Sequence, residues 1–365
     1  AGAGAGGGAP GLALGLGSQV HAGGRDCSAA QLLHVLAKCL HLVCVFKCSE
    51  ALELLADLPA AHYRTGWVLC LVGRAHFELV NYSEAERAFG AALAAEPHRL
   101  AGHELHSTLL WHVRAESRLC ALAQHALAVD RRSAHAWAIL GNCFSLQKEH
   151  STALKFLKRA IQLAPELAYA HTLCGHEFAA NEDFDKALAA YRQAILIDER
   201  HYNAWYGLGS IYFRQEQYDL SEAHLSRALQ LNPRSSPLQC YLGMALHEKA
   251  LAEGEPPHRA LEVLNRAIEL DANNPLARFQ RARVLLSLNE QSVALEELLA
   301  LRELAPKEGA VHLMLGRVYK RMNDPQKALV SLSTALDLNP KDAQVIKSAI
   351  HKLDAADDDD VEDEM

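Results

Sequence analysis

The stretch His201-Tyr-Asn-Ala-Trp-Tyr-Gly-Leu-Gly-Ser-Ile-Tyr212 decides how the rest of the chain reads. Counting from Tyr202, the residues Trp205, Leu208, Gly209 and Tyr212 take positions 4, 7, 8 and 11 of a unit, and Ala228 and Pro233 take positions 27 and 32. Intervals of three and four put side chains on one helical face. A proline at position 32 marks a stop, because it has no N–H to offer a continuing helix. The pattern predicts two helices joined by a turn, with a second turn that starts the unit again.

Outward from this stretch the pattern returns every 34 residues, giving units at 32–65, 66–99, 100–133, 134–167, 168–201, 202–235, 236–274, 275–308 and 309–342, here units one to nine. Unit seven alone has 39 residues; its five extra ones fall at Ala252-Glu-Gly-Glu-Pro-Pro257, where turn chemistry predicts a longer loop between its helices. Positions 8, 20 and 27 are small where two helices must touch: Gly141, Ala153 and Ala160 in unit four, Gly175, Ala187 and Ala194 in unit five, Gly316, Ala328 and Ala335 in unit nine. Positions 4, 7, 11 and 24 are large, as Trp137, Leu140, Phe144 and Leu157 show, while Pro165, Pro233, Pro306 and Pro340 share position 32. Units one and three fit poorly, with Cys39 and Ser107 at position 8 and Leu119 at position 20. Unit eight carries Arg278 at position 4 and Leu301 at position 27, so its local packing is expected to differ. This spacing resembles the tetratricopeptide repeat, which implies an all-α fold, a right-handed α-α superhelix.

The ends read differently. Residues 1–26 form a Gly/Ala-rich stretch with too little side-chain surface to offset its ordering entropy, expected to be a disordered linker. Its Gly2, Gly4 and Gly7 match a nucleotide-loop spacing, but no strand pattern precedes them. The chain does not begin with Met and is expected to start inside a longer polypeptide. The array is expected over 27–353, with 342–353 as a C-terminal capping helix, and 354–365 as an acidic disordered tail. That tail accounts for the net charge of −8, since Asp354, Asp357 to Asp360, Glu362, Asp363 and Glu364 are all acidic. The remaining body is near neutral and lacks the basic footprint of a nucleic-acid binder. No run of 18 apolar residues forms a membrane span. Nine cysteines without a CxxC pair read as free thiols on helices, with no metal and no cofactor expected.

The same search finds no catalytic machinery. The nearest approach to a zinc-protease motif is His103-Glu-Leu-His106, one residue short of the spacing that puts two imidazoles on one metal. Every unit resembles its neighbours, so an enzyme is not expected, and function should lie on surfaces. The concave face is expected to be lined by positions 2, 5, 9 and 12 of the first helices. These are His135, Ala138, Asn142 and Ser145 in unit four, Tyr169, Thr172, His176 and Ala179 in unit five, and Asn203, Tyr206, Ser210 and Phe213 in unit six, with Arg214 beside them. Later units add Met244, His247, Phe279, Arg283 and Arg317. Amides can satisfy peptide backbone groups, arginines can meet a carboxylate, and aromatics can cover an aliphatic side chain, so a peptide-binding groove is expected.

Four strings go beyond the generic repeat: Tyr63-Arg-Thr-Gly-Trp-Val-Leu-Cys70, Gly141-Asn-Cys-Phe-Ser-Leu-Gln147, Tyr169-Ala-His-Thr-Leu-Cys-Gly-His-Glu-Phe178 and Arg200-His-Tyr-Asn-Ala-Trp-Tyr-Gly-Leu-Gly209. With them the chain, from about Gln31 to Leu353, resembles the subunit-three family of the anaphase-promoting complex. The resemblance implies a non-catalytic scaffold of a cell-cycle ubiquitin ligase, in nucleus and cytoplasm, contacting other subunits of that complex. It implies that the groove captures C-terminal Ile-Arg tails of coactivators and of a core subunit, with Asn203 and Tyr206 first, then Asn142 and His176, and Phe213 and Arg214 as flanks. The resemblance also implies that full-length family members homodimerise through an N-terminal array, which is expected to be absent from this sequence. The alternative is a cochaperone-like adaptor clamping an acidic C-terminal peptide. That clamp needs Lys at position 5 and Asn at position 9 of one repeat, and here Asn142 is paired with Ala138.

Overall fold

A computed structural model describes residues 29–339 and 343–351. Within them the chain forms α1 (Ala29–Cys44), α2 (Cys48–Ala56), a single turn α3 (Ala60–Tyr63), α4 (Gly66–Glu78), α5 (Tyr82–Ala95), α6 (His103–His112) and α7 (Glu116–Val129). There follow α8 (Ala134–Leu146), α9 (His150–Leu163), α10 (Ala168–Ala180), α11 (Phe184–Ile197), α12 (Tyr202–Arg214) and α13 (Tyr218–Leu231). The last seven are α14 (Ser236–Glu253), α15 (His258–Leu270), α16 (Pro275–Ser287), α17 (Gln291–Leu304), α18 (Gly309–Arg321), α19 (Pro325–Leu338) and α20 (Ala343–His351). No strand occurs among the described residues. Each unit supplies one A helix and one B helix, and α20 caps the last pair by seating Ile346 on Leu332 and Ala335. The expected linker, the acidic tail, Pro340 and the outer ends of the capping stretch lie outside the described residues.

The small-against-large pairing is what joins A to B. A Cβ on Gly141 would stand 2.5 Å from Leu157, and one on Gly316 would stand 2.5 Å from Leu332. In both units position 8 meets position 24, so glycine there lets the two helices close on a leucine. Unit three shows why its Ser107 is tolerated. Position 24 is Ala123, which leaves room for a hydroxymethyl group, and Ser107 is fully buried with its hydroxyl donating to Glu104 O at 2.6 Å. The first helix of that unit starts only at His103, after Gly102 at φ 97°, and so lacks the first turn that the other A helices have.

The turn between A and B repeats even more strictly. Phe46, Val80, Arg114, Lys148, Glu182, Glu216, Asn289 and Asn323 all have φ between 53° and 64°, and all stand at position 15. The next N–H reaches back to position 11, as Asn81 N to His76 O at 2.9 Å, and the position-15 N–H bonds position 12, as Val80 N to Phe77 O at 3.0 Å. These are the two bonds of a Schellman motif, which satisfies carbonyls left open at a helix end. Unit seven closes the same way through Gly254 at φ 70°. Its five extra residues therefore lengthen the helix, and the sequence expectation of a longer loop is corrected. Helix α14 has 18 residues against 13 in α12, because Ala252 and Glu253 continue the helix until glycine stops it.

A second regularity reconciles unit eight. The position-4 side chain bonds the carbonyl at position 32 of the preceding unit: Trp137 Nε1 to Arg131 O at 2.8 Å, Trp205 Nε1 to Glu199 O at 3.0 Å, and His171 and His312 to Pro165 O and Pro306 O. Arg278 Nε does the same to Ala272 O at 2.8 Å, and its guanidinium also bonds Glu297. Arginine thus replaces tryptophan there because both bring an N–H to one carbonyl beyond the reach of the helix ladder.

Consecutive A helices from α1 to α16 touch one another, while no two consecutive B helices do so to a comparable extent among the described residues. The A helices therefore line the shorter, inner path of the superhelix. The winding is tight enough for distant units to meet. Tyr202 Oη donates to Glu78 Oε2 at 3.0 Å, Asn232 Nδ2 to the same oxygen at 3.3 Å, and Arg200 Nη2 to Cys44 O at 3.2 Å. Phe46 meets the Tyr202 ring edge-on at 5.2 Å.

Candidate functional site

The inner face divides into two parts. Over units three to five its polar groups are spent on one another. Asn142 is 4% exposed and donates through Nδ2 to Ser107 Oγ and to Tyr169 Oη, each at 2.8 Å. Tyr169 in turn donates to Glu104 O at 2.9 Å, and burial pushes its hydroxyl up to about 12. His135 lies 3.3 Å from Glu104 Oε2, a contact that holds its imidazole above the usual range. Ala138, Asn142, Thr172 and Ala179 are buried, so the expectation that positions 2, 5, 9 and 12 of the first helices line the groove is corrected for these four residues. The reason is local: Ser107, Asn142 and Tyr169 on α6, α8 and α10 bond one another and fill the space between these A helices.

Over units five to seven the face is more open. Asn203, Tyr206 and Phe213 are partly exposed on α12, and Arg214 is exposed at its end. They stand on one helix at intervals of three, seven and one, so Asn203 and Tyr206 share a face while Phe213 and Arg214 lie two turns on. Tyr206 packs on Tyr241 of α14 at 4.9 Å, and burial and the neighbouring phenol raise its hydroxyl well above the ordinary range. Arg214 anchors one Nη1–H on Ala179 O at 3.3 Å. Further along, His247 is buried and bonds Ser287 Oγ at 2.8 Å, and Arg283 is paired with Glu248.

His176 is half-buried, its Nδ1 2.8 Å from Tyr191 Oη. Tyr191 was not among the residues expected at the site. It stands at position 24 of a B helix, where the other units carry leucine or phenylalanine, or alanine in unit three, and it is fully buried. Its ring passes between two A helices through a gap made by two glycines: a Cβ on Gly175 or on Gly207 would stand 2.4 Å from the ring. Position 6, where Gly207 sits, carries Ile139 in unit four and Tyr241 in unit seven. A tyrosine at position 24 followed by glycine at position 6 is the signal by which the sequence could have given Tyr191 away. Burial, with His201 and His112 adding to it, lowers His176 to about 4, so the imidazole is neutral at physiological pH.

No helix is long and apolar enough to cross a membrane among the described residues. A family profile described as "Tetratricopeptide repeat" matches residues 134–167 and 310–342, and a second of that description matches 175–236. Fold and groove thus define a tetratricopeptide-repeat solenoid. The "Cell division cycle protein 27 homolog B" of Arabidopsis thaliana is 46% identical over 329 residues, 90% of this chain and 44% of that protein. The "Anaphase-promoting complex subunit 3" of Schizosaccharomyces pombe is 40% identical over 329 residues, 90% of this chain and 49% of that protein. Across that span the chain is homologous to the cell division cycle protein 27, or anaphase-promoting complex subunit 3, proteins; it spans about half the length of these relatives. The "Crystal structure of APC/C hetero-tetramer Cut9-Hcn1" superimposes with a TM-score of 0.73 over 87% of this chain and 62% of that one, at 16% identity, a likeness of fold.

Proposed function

We propose that the chain is a non-catalytic scaffold part of an anaphase-promoting complex, a cell-cycle ubiquitin ligase of nucleus and cytoplasm, and that its inner face binds the C-terminal Ile-Arg tails of coactivators and of a core subunit. The homology over 90% of the chain carries the first half of this reading. The second half is supported by one contrast. Polar groups over units three to five are committed to each other, whereas Asn203, Tyr206, Phe213 and Arg214 keep accessible surface on one A helix. In this reading those four and His176 touch the tail, and Asn142 acts through Tyr169 by bracing the neighbouring helices. The Tyr206 and Phe213 rings cover the isoleucine, and the amide of Asn203 meets the peptide backbone.

Two measurements test it. A labelled peptide ending in Ile-Arg is titrated against the chain and against the Asn203→Ala, Tyr206→Ala double variant. Saturable binding that weakens at least tenfold in the variant is expected, about 1.4 kcal/mol or more. No binding at high micromolar protein, or equal affinity in the variant, would remove the tail-binding half. Expression in cells with recovery of the tagged chain should bring down other subunits of the ligase, and their absence would remove the scaffold half.

A further inference from the structure

We infer that Tyr191 is a positioning residue which sets His176 as an N–H donor facing the groove, so that His176 Nε2 and the Arg214 guanidinium together take the terminal carboxylate of a bound peptide. This rests on the tail-binding reading and specifies which end of the tail goes where.

The assignment follows from counting donors and acceptors. Tyr191 is fully buried, and its hydroxyl has one partner, Nδ1 of His176 at 2.8 Å. A buried hydroxyl hydrogen left without an acceptor costs about 1–3 kcal/mol. If Nδ1 carried the proton, it would donate to the phenol oxygen and leave that hydrogen stranded. The phenol therefore donates, Nδ1 accepts, and a neutral imidazole must hold its single proton on Nε2. Burial keeps both groups in these forms, holding the phenol far above its ordinary range and the imidazole at about 4. Among the described residues Nε2 has no protein partner, and it is not one of the side-chain nitrogens sealed from solvent without one.

What surrounds this N–H selects an anion. Arg214 is exposed and its guanidinium bonds Ala179 O, one turn beyond His176 on α10, while the neighbouring carboxylate of Glu177 is buried and bonded to His150. One of its N–H groups is held by Ala179 O, which fixes the guanidinium while leaving other donors outward. A fixed guanidinium with a neutral N–H beside it suits a carboxylate, whose oxygens accept from both. The tyrosine reaches this place only because Gly175 and Gly207 open the layer between α10, α11 and α12.

The test pairs a protein change with a ligand change. Two Ile-Arg peptides, one with a free carboxylate and one with a C-terminal amide, are titrated against the full chain and against Tyr191→Phe, which keeps the ring between the glycines. The free acid should bind the unaltered chain about tenfold more tightly than the amide, and Tyr191→Phe should remove most of that difference while leaving the amide's affinity unchanged. Equal binding of acid and amide, or an equal loss for both in Tyr191→Phe, would overturn the inference while sparing the tail-binding reading. Failure of both peptides to bind the unaltered chain would overturn both. Nitrogen NMR of histidine-labelled protein gives a readout that packing alone does not move. His176, assigned through His176→Gln, should show a pyridine-like Nδ1 and a pyrrole-like Nε2, with mixed tautomers in Tyr191→Phe. A pyrrole-like Nδ1 in the unaltered chain would refute the assignment.

Discussion

Two kinds of residue carry consequences that can be measured singly. Gly207 exists to admit Tyr191, so Gly207→Ala should destabilise the chain by about 1–3 kcal/mol, the usual cost of overpacking. Adding Tyr191→Leu, the residue that unit four carries at this position, should recover part of the loss, seen as a higher urea midpoint for the double variant than for Gly207→Ala alone. A double variant no more stable than the single one would mean the strain lies elsewhere. The second kind is the buried neutral histidine. His106 stacks on Phe89 at 5.2 Å and His247 is enclosed in unit seven, and burial lowers each to about 4. An unfolded imidazole titrates near 6.5, so on acidification the unfolded chain binds protons that the folded chain refuses. Stability is therefore full above about pH 6.5 and falls as the pH drops towards 4. His106→Phe should flatten that fall, measured as urea midpoints at about pH 7 and pH 5.

At the scale of elements, the A–B turn is the feature that every unit obeys. A left-handed residue at the helix end costs little for glycine or asparagine and more for a β-branched side chain. Val80 is the β-branched residue among those at position 15, with φ 62°, while Asn289 and Asn323 take the same conformation in units eight and nine. Val80→Asn should stabilise the chain by about 1 kcal/mol, read as a rise in Tm, since Val80 is partly exposed and little packing is lost. A fall in Tm would show that the valine contributes more through contact than it loses through strain. The turn was only partly legible from sequence, because six different residue types take the left-handed conformation at position 15 and the glycine that usually betrays a Schellman motif is present in unit seven alone. The backbone bonds impose the conformation there whatever the side chain.

At the scale of the whole molecule, the meeting of units one and two with units five and six fixes the winding. Glu78 is the centre of that meeting, accepting from Tyr202 and Asn232 across separations of 124 and 154 residues. Losing the Tyr202 donor would leave a partly buried carboxylate short of a partner, a cost of about 1 kcal/mol. Tyr202→Ala, which also removes the edge contact with Phe46, should open the superhelix and increase the radius of gyration in small-angle scattering. Tyr202→Phe should keep the dimensions nearer to those of the unaltered chain. An unchanged scattering profile in Tyr202→Ala would mean that the contact follows the winding instead of holding it.

By itself the sequence determined the repeat, its frame and the pairing of small with large positions. Each unit packs on its neighbours alone, so the information needed lies within about one repeat of any residue. Spacing accordingly places Asn203, Tyr206 and Phe213 at groove positions of α12, with Arg214 beside them. The tertiary structure decided what depends on the sum of many small rotations between units. Those sums brought Tyr202 to Glu78, while side-chain packing between adjacent units buried Asn142 against Ser107 and Tyr169. It also decided that the opening stretch serves three ends: Trp205 ties one unit to the last, Asn203 and Tyr206 face the groove, and Gly207 makes the gap through which Tyr191 reaches His176. A spacing rule assigns a face to each residue, but only packing in three dimensions shows that a side chain from the outer layer crosses to the inner one.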